Sequence, residues 1–561
     1  MGEIARKVAA HWRSLVPRPL SSTVLGCLNL LERDELTGAG RVAVVADDLA
    51  PWRTEKLKAL LLAADLHRSS LQAALAAGHR YDAVVLDVGD PCLRGQKIVD
   101  LLYHLKVGGR LLVPGALKGF QPFAGESDES FAPAREFLEA LLGHRAAPSL
   151  RSLSSLGMRR EDWHCLKRAV VSADMVGDTA VLINRRRVQA KLDELAVNEF
   201  VRATGRGRVI DSIAGKAWTP RASLRESESA RGRFWANEWN APDVFLREYR
   251  DVVCRPGQIA QVGRSLLPDS YRHIGRPRLG NHFMNDVAPL FATPKRKRPP
   301  DAELPGPHFY WDSEYRGHFG HALTEQLSRM WAFQRAKDEY PDLKVFMATN
   351  RHRRQAVPFE VEILARLGAR LDDLVFVQGP VRIERLIAAT PMFSQPLYVH
   401  PDIAQVWDRL GDSLDADASD RVYPERFFVG RRHAKRACVN AEEVEAIFVE
   451  RGFEVVYPED YSLPDQVRLF RSAKVIAGYG GSGLFNAMFA EEPKHLILVS
   501  SETYTAQNEW MIAGVRGHRV DVAWCRAERG VGAKPARVLQ TPFTFDRDRE
   551  GRFLSDVLAE L

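Results

Sequence analysis

Short apolar runs alternate with helical periodicity through the first third of the chain. Residues 41–46, 83–88 and 110–113 are strand-like runs, with a helical pattern at 96–105 and the pair Gly108-Gly109, which predicts a turn, between the last two. Strands alternating with helices predict an open, mostly parallel α/β sheet. Residues 1–40 read as helix and then loop, and 189–204 as a connecting helix. Residues 205–245 are rich in Arg, Ser and Gly and mark a boundary, and 294–307 reads as a second linker-like stretch.

The alternation is clearest near the other end. Strand 427–430 leads to a helix over 440–450, with Asn440 as N-cap and Glu443 at the third position, the pattern of a capping box. Strand 453–457, helix 463–472 after Ser462, strand 474–477, the loop 478–483, helix 484–490 and strand 495–499 complete the series. Repeated β-α units with short connections imply a parallel, doubly wound sheet, whose ligands bind beyond the carboxyl ends of the strands.

Composition narrows the function without changing the fold. The chain has 561 residues, and at roughly 150 residues per domain this predicts two to four domains. A net charge of +7 on 79 basic and 72 acidic residues suits an anionic small ligand or acidic glycan, and argues against a nucleic-acid binder, which concentrates its charge. The six cysteines form no C-x-x-C pair, so a zinc knuckle or disulfide framework is not expected and a reducing cytoplasm is. No signal-peptide core opens the sequence, and no apolar run approaches the ~20 residues of a membrane span. Membrane contact is therefore expected to be peripheral. The basic run Lys295-Arg296-Lys297-Arg298 reads as a solvated loop, or as a patch for lipid headgroups or an anionic acceptor.

Three clusters can carry chemistry. From His318 to Arg329 the pattern is helical, and at roughly 100° per residue His318, His321, Glu325 and Arg329 share a sector of about 80° opposite an apolar stripe of Phe319, Leu323, Leu327 and Met330. His321 and Glu325 form an i, i+4 pair, close enough for the carboxylate to fix the imidazole tautomer of a base. The same spacing also describes a solvated polar face, and it fits no metal motif. The second cluster, Arg431-Arg432-His433-Ala434-Lys435-Arg436, follows a strand and precedes the helix that Asn440 opens. Arginine's planar fork suits diphosphate oxygens, although a basic surface loop has the same composition. The third is Gly478-Tyr479-Gly480-Gly481-Ser482-Gly483, leading to Asn486. Glycines between a strand and a helix let a ligand approach the backbone; this loop is neither a P-loop nor a dinucleotide fingerprint.

At these three places the sequence resembles glycosyltransferase family 61. His321, Glu325, Leu327 and Arg329 fit its first motif, and Arg431, Arg432, Arg436 and Asn440 its second. The run 452–478 resembles the family core closely, and the likeness covers about residues 245–530. Two positions depart from the family pattern. Gly480 and Ser482 stand where the family loop has His and Ala, and Leu498 stands where an acidic residue is frequent, with Glu502 a few residues on. Residues 81–113 separately resemble the later half of class I methyltransferase-like domains, whose closing antiparallel hairpin the runs 163–171 and 179–185 can supply, but the first strand runs into Ala46-Asp47-Asp48 with no glycine turn, so a scaffold without a methyl donor is expected there.

The resemblances imply an α/β protein: a Rossmann-like domain over 1–190, a linker over 191–245, and a GT-B-like pair of doubly wound Rossmann-type halves. The acceptor-side half is expected over 246–420 and the nucleotide-sugar-binding half over 421–561. They imply an inverting glycosyltransferase, of hexosyl or pentosyl type, that moves sugar from a nucleotide-sugar donor to a glycan or other hydroxyl acceptor. Bacterial surface or capsular polysaccharide synthesis is the expected setting, in the cytoplasm or peripherally at the inner face of the membrane. No cofactor and no metal is expected to be obligatory, and no nucleic acid is an expected partner. His321 is the expected base, oriented by Glu325, with Asp312 in reserve. The donor site is expected from Arg431, Arg432, Arg436, Asn440, Gly480, Gly481, Ser482, Gly483, Asn486 and Glu502. A non-catalytic nucleotide- or glycan-binding relative and a methyltransferase stay open as alternatives.

Overall fold

The computed structural model describes residues 22–34, 36, 40–54, 57–78, 80–116, 132–227, 235–349, 357–433, 435–528 and 540–561. The chain divides into two compact units. Unit 1 comprises Met1–Arg206, Gln261–Ser270 and Pro277–Lys297; unit 2 comprises Gly207–Ala260, Tyr271–Arg276 and Arg298–Leu561. Most of the helix-then-loop reading at 1–40 lies outside the described residues, apart from the helix Ser22–Arg33.

Unit 1 is built on β1 (Val42–Ala46), β2 (Ala59–Ala63), β3 (Tyr81–Asp87), β4 (Leu105–Val113), β5 (Val170–Val176) and β6 (Thr179–Asn184), in the order β2-β1-β3-β4-β6-β5. The first four are parallel, and β6 and β5 close the sheet antiparallel. The order is consistent with a Rossmann-like core. Every residue of β1 is buried, as expected of a strand covered on both faces. Helices α1 (Arg68–Ala77) and α2 (Pro91–Leu102) connect the parallel strands.

Two expectations are corrected in this unit. The first arm of the hairpin, expected at 163–171, is mostly the helix Arg160–Ala169, and β5 begins only at Val170. Trp163, Leu166 and Ala169 are buried at helical spacing, and the Asp162 carboxylate accepts the Arg159 N–H at 2.7 Å. Gly108-Gly109 is a bulge inside β4 rather than a turn: pairing jumps from Tyr81↔Leu105 to Ala83↔Arg110. Gly108 takes φ +83°, and a Cβ at Gly109 would stand 3.0 Å from the Tyr81 carbonyl oxygen, so only glycine lets the strands close up.

The stretch 191–245, expected as a linker, is folded. Helix α3 (Glu194–Thr204), capped by Asp193, belongs to unit 1 and is tied to α1 through Ser70 and Glu199 at 2.9 Å. Strands Gly207–Ile213, Lys216–Trp218, Ser223–Glu226 and Trp239–Ala241 belong to unit 2.

Two large sheets dominate the described residues of unit 2. In one, β7 (Val244–Arg255) pairs antiparallel with Gly207–Ile213 and with β11 (Val381–Ala389). Next to β11 lie, all parallel, β8 (Ala302–Tyr310), β9 (Lys344–Ala348) and β10 (Leu374–Val377). This sheet is therefore mixed, not the doubly wound parallel sheet expected for 246–420. The other sheet is parallel: β12 (Arg426–Val429), β13 (Glu454–Val456), β14 (Val475–Tyr479), β15 (His495–Ser501) and β16 (Arg519–Ala527) in the order β13-β12-β14-β15-β16, with Ser223–Glu226 beyond β16. Its strand order reverses between β12 and β14. Open α/β sheets bind ligands in the crevice beyond the carboxyl ends at such a reversal, and the segments that leave β12 and β14 there are the arginine loop and the glycine loop.

Candidate functional site

The segment from Phe319 to Ala332 passes through three windings: α-helix at Phe319–His321, a π turn at Ala322–Gln326, then 3₁₀ at Leu327–Ala332. A buried ion pair between Arg316 and Glu360 (2.7 Å) fixes its entrance, and Glu360 also accepts the Gly317 N–H at 3.0 Å. The π turn keeps His321 and Glu325 in register, with Nδ1 and Oε1 2.8 Å apart. It rotates the next turn of the helix, so Arg329 leaves the predicted sector and donates to the Ala389 carbonyl at 2.7 Å in the interior.

Glu325 also accepts from Arg272 Nε at 2.7 Å. Burial pushes the carboxyl up, but His321 and Arg272 outweigh it and hold it at about 2. The carboxylate therefore stays ionised and directs the Nδ1 proton of His321, leaving Nε2 as the nitrogen that can take a proton. Tyr315 stacks on the His321 ring at 4.7 Å, and Arg272 caps Tyr315 at 4.9 Å. His318 meets His321 edge-on at 4.6 Å, and burial, with His321 and Lys435 nearby, lowers its pKa to about 4. Asp312, the reserve base, is fully buried. Its oxygens accept the Gln258 and Ala348 N–H groups at 3.1 and 3.2 Å, and burial raises it to about 7. It braces the chain that leaves β8.

A cavity of about 580 Å³ opens beyond β12 and β14, and both halves of unit 2 line it: His318 and Phe319 from one, Arg431, Lys435, Arg436 and Ser482 from the other. Half-buried Arg431 donates to the carbonyls of Arg436 (2.7 Å), Tyr479 (3.2 Å) and Gly480 (2.7 Å). Arg436 sits at φ +55° with its guanidinium over Tyr504 at 4.5 Å, and its buried Nε has no hydrogen-bond partner. Among the described residues neither arginine is in an ion pair. Burial and the Arg436 charge lower Arg431 to about 10. Two cations desolvated side by side with no ion-pair partner are costly, and an anion in the cavity relieves both. Arg432 differs: it lies on Tyr457 at 3.9 Å and pairs with exposed Asp460 at 2.7 Å.

The glycine loop is anchored by a residue far away in sequence. The N–H of Gly481, an expected donor-site residue, donates to buried Glu509 at 2.6 Å, and Glu509 also accepts from Tyr504 at 3.2 Å. Gly481 has φ +148°, and a Cβ there would lie 3.0 Å from Nη2 of both Arg431 and Arg436. At Gly480 a Cβ would stand 2.5 Å from Ser500 Oγ. The predicted helix 484–490 is a 3₁₀ run, Ser482–Phe489. The first histidine turn packs on this loop, since a Cβ at Gly320 would be 2.8 Å from that of Ser482.

Three expected donor residues lie elsewhere. Asn440 forms no capping box; it accepts the Phe545 N–H at 3.0 Å and donates to the Phe545 carbonyl at 2.8 Å, holding the C-terminal segment. Asn486 is interior and donates to Gln466 at 2.8 Å. Glu502 accepts the Ala527 N–H at 3.3 Å at the end of β16. Sequence reasoning missed Arg272, Tyr504 and Glu509, which reach the site only by packing. Among the described residues, no three His, Cys, Asp or Glu are placed to hold a metal ion, and no described helix is long and apolar enough to cross a membrane.

Residues 281–497 match the family model Glycosyltransferase 61. The match includes His321, Glu325, Arg431, Arg436 and the glycine loop, and leaves out Arg272 and Glu509. No curated protein matches the chain. Solved structures similar to part of it include two crystal forms of the MycE methyltransferase from the mycinamycin biosynthetic pathway in complex with Mg and SAH. Form 1 is 12% identical with a TM-score of 0.21 over 28% of this chain and 49% of that one. Form 2 is 13% identical with a TM-score of 0.20 over 28% and 48%. The chain thus spans about half the length of these structures.

Proposed function

We propose that unit 2 is a glycosyltransferase that moves a sugar from a nucleoside diphosphate to an acceptor hydroxyl with inversion. The observation that carries this reading is the pair Arg431 and Arg436, two guanidiniums at the sheet's switch point that are in no ion pair among the described residues, in a cavity that His318 also lines. The family match over 281–497 supports the same reaction class.

In the proposed step the acceptor oxygen attacks the anomeric carbon while the bond from that carbon to the diphosphate oxygen breaks on the opposite face. The bonding pair leaves with the diphosphate, and the acceptor's proton passes to Nε2 of His321. Glu325 and Arg272 hold the imidazole in the tautomer that can receive it. Arg431 and Arg436 take up the charge that develops on the leaving group, in a site partly closed to water. Gly483 and Ser482 border this charge, while the Gly481 N–H belongs to Glu509. Because cationic side chains carry the leaving-group charge, we propose that no metal is obligatory; undiminished turnover in EDTA tests that part. The sugar, the base of the nucleotide and a hydroxyl acceptor in bacterial surface or capsular polysaccharide are extended from the family resemblance alone, as is action in the cytoplasm or at the inner face of the membrane.

The test is a thermal-shift screen against nucleoside mono- and diphosphates and their sugar conjugates, then transfer assays with the donor that binds. A ligand at ~100 times its Kd adds about 2.7 kcal/mol, enough to raise the melting midpoint visibly. Stabilisation by one nucleoside diphosphate, with a product of inverted anomeric configuration, supports the reading. Binding with no turnover on any acceptor would move the chain to the non-catalytic alternative.

A further inference from the structure

Unit 1 contains a cavity of about 550 Å³ that the glycosyl-transfer reading does not use. It lies at the amino ends of the parallel strands: Arg41 precedes β1, Arg80 precedes β3, and Lys106 is the second residue of β4. A nucleotide or methyl donor of such a sheet binds at the other end, beyond the carboxyl ends of the strands. There the fully buried Trp52 donates from its indole N–H to Asp87, the last residue of β3, at 3.1 Å. The cavity is therefore separate from the crevice that the fold would offer a cofactor.

We propose that this cavity binds a phosphomonoester that carries an apolar body. Six cationic side chains line it, Arg41, Arg80, Lys106, Arg187, Arg206 and Arg264, and no carboxylate does. Asp82, beside Lys106, is engaged by Lys106 at 2.8 Å and by the Arg41 backbone N–H at 2.9 Å. Arg80 is buried and donates only to carbonyls, those of Leu105 (3.0 Å), Arg186 (3.3 Å) and Val188 (2.7 Å). Dipoles hold it in place without cancelling its charge. Arg187 and Arg264 are exposed and form no ion pair among the described residues. Arg264 stands at the tip of the tight hairpin that pairs Val262 with Ser265, at a fixed place on the rim. At least three guanidiniums thus face one concavity without a carboxylate, a match in charge and geometry for a phosphate dianion.

The rest of the wall is apolar. Tyr103 and His104 pack on Phe291 at 5.2 and 5.1 Å, and burial lowers His104 to about 3, so it adds no charge. Val107, 52% exposed beside Lys106, is apolar surface at the opening. A few polar groups set into an apolar wall describe a small-molecule site, and the volume lies within the range of such sites. Inorganic phosphate would satisfy the arginines and leave this wall unused.

The experiment is calorimetric titration of the full chain at low ionic strength with three probes: geranyl phosphate, 4-nitrophenyl phosphate and inorganic phosphate. The variants are the double substitution Arg187→Ser/Arg264→Ser, on two exposed side chains, and Arg431→Ser in the other unit. At least one ester should bind wild type and Arg431→Ser equally and the double variant at least tenfold more weakly, with the melting midpoint of the double variant unchanged. Preference for geranyl phosphate points to a lipid-borne phosphate, and preference for 4-nitrophenyl phosphate to a soluble aromatic one. Either supports the site. Equal binding by the double variant, loss of binding in Arg431→Ser alone, or inorganic phosphate bound as tightly as both esters overturns it.

Discussion

Replacing Glu325 by Gln removes a charge and keeps the shape, and so isolates what the carboxylate does for His321. The carboxyl is held at about 2 against an ordinary value of 4.5, because His321 and Arg272 more than offset its burial. At ~1.4 kcal/mol per pKa unit, the shift corresponds to about 3 kcal/mol. The sign comes from proton binding: between the two values the unfolded chain binds the proton and the folded chain does not. The stabilisation is thus complete above pH ~4.5 and is lost as pH falls through about 2. Glu325→Gln lacks it at every pH, and leaves Arg272 without its carboxylate. Urea unfolding of both proteins should show a gap of about 3 kcal/mol near pH 7 that holds down to pH ~4.5 and narrows below it. In transfer assays the variant should lose about 10²–10⁴-fold in kcat, because the tautomer of His321 is no longer enforced. Its affinity for the nucleoside diphosphate should stay the same, since Glu325 acts through His321 and does not face the diphosphate. A stability gap of constant size across pH, or a kcat near that of wild type, would refute this ionic role.

Three further outcomes test the rest of the site. Arg431→Ala should weaken nucleoside diphosphate binding more than Arg432→Ala, because Arg432 is already engaged by Asp460 and Tyr457; the reverse order in calorimetry would exchange their roles. Gly481→Ala should lower donor affinity at least ~10-fold and reduce the melting midpoint, since the new Cβ meets both guanidiniums at 3.0 Å in a backbone conformation that costs about 1–3 kcal/mol; unchanged affinity would remove these arginines from the donor site. Asp312→Asn should keep turnover close to wild type, in contrast to the ~10²–10⁴-fold loss of a missing base, because Asp312 is occupied by two backbone N–H groups; a loss of that size at unchanged stability would reinstate it as the base.

How much of the molecule is legible in its sequence depends on the range of the interactions involved. Helix Leu463–Ser472 agrees with its expected limits, because Ser462 accepts the Asp465 N–H three residues on and the signal is local. β14 continues to Tyr479, past its expected end, because each residue has a neighbour on β15 as far as Tyr479↔Val499, a pairing twenty residues away. The His321–Glu325 contact is legible for the same local reason, one turn of helix. Arg329 is not: a π turn adds a residue to one turn, and periodicity cannot anticipate it. The electrostatics of the site are longer in range still. Arg272 reaches Glu325 across 53 residues and Glu509 reaches Gly481 across 28, and neither has a spacing that marks it. These two set the behaviour of the legible motifs. Without Arg272 the burial of Glu325 would act against its ionisation, and without Glu509 the Gly481 N–H would be free to meet a phosphate. The motif residues name the chemistry, and the packing partners decide which of their groups remain available to perform it.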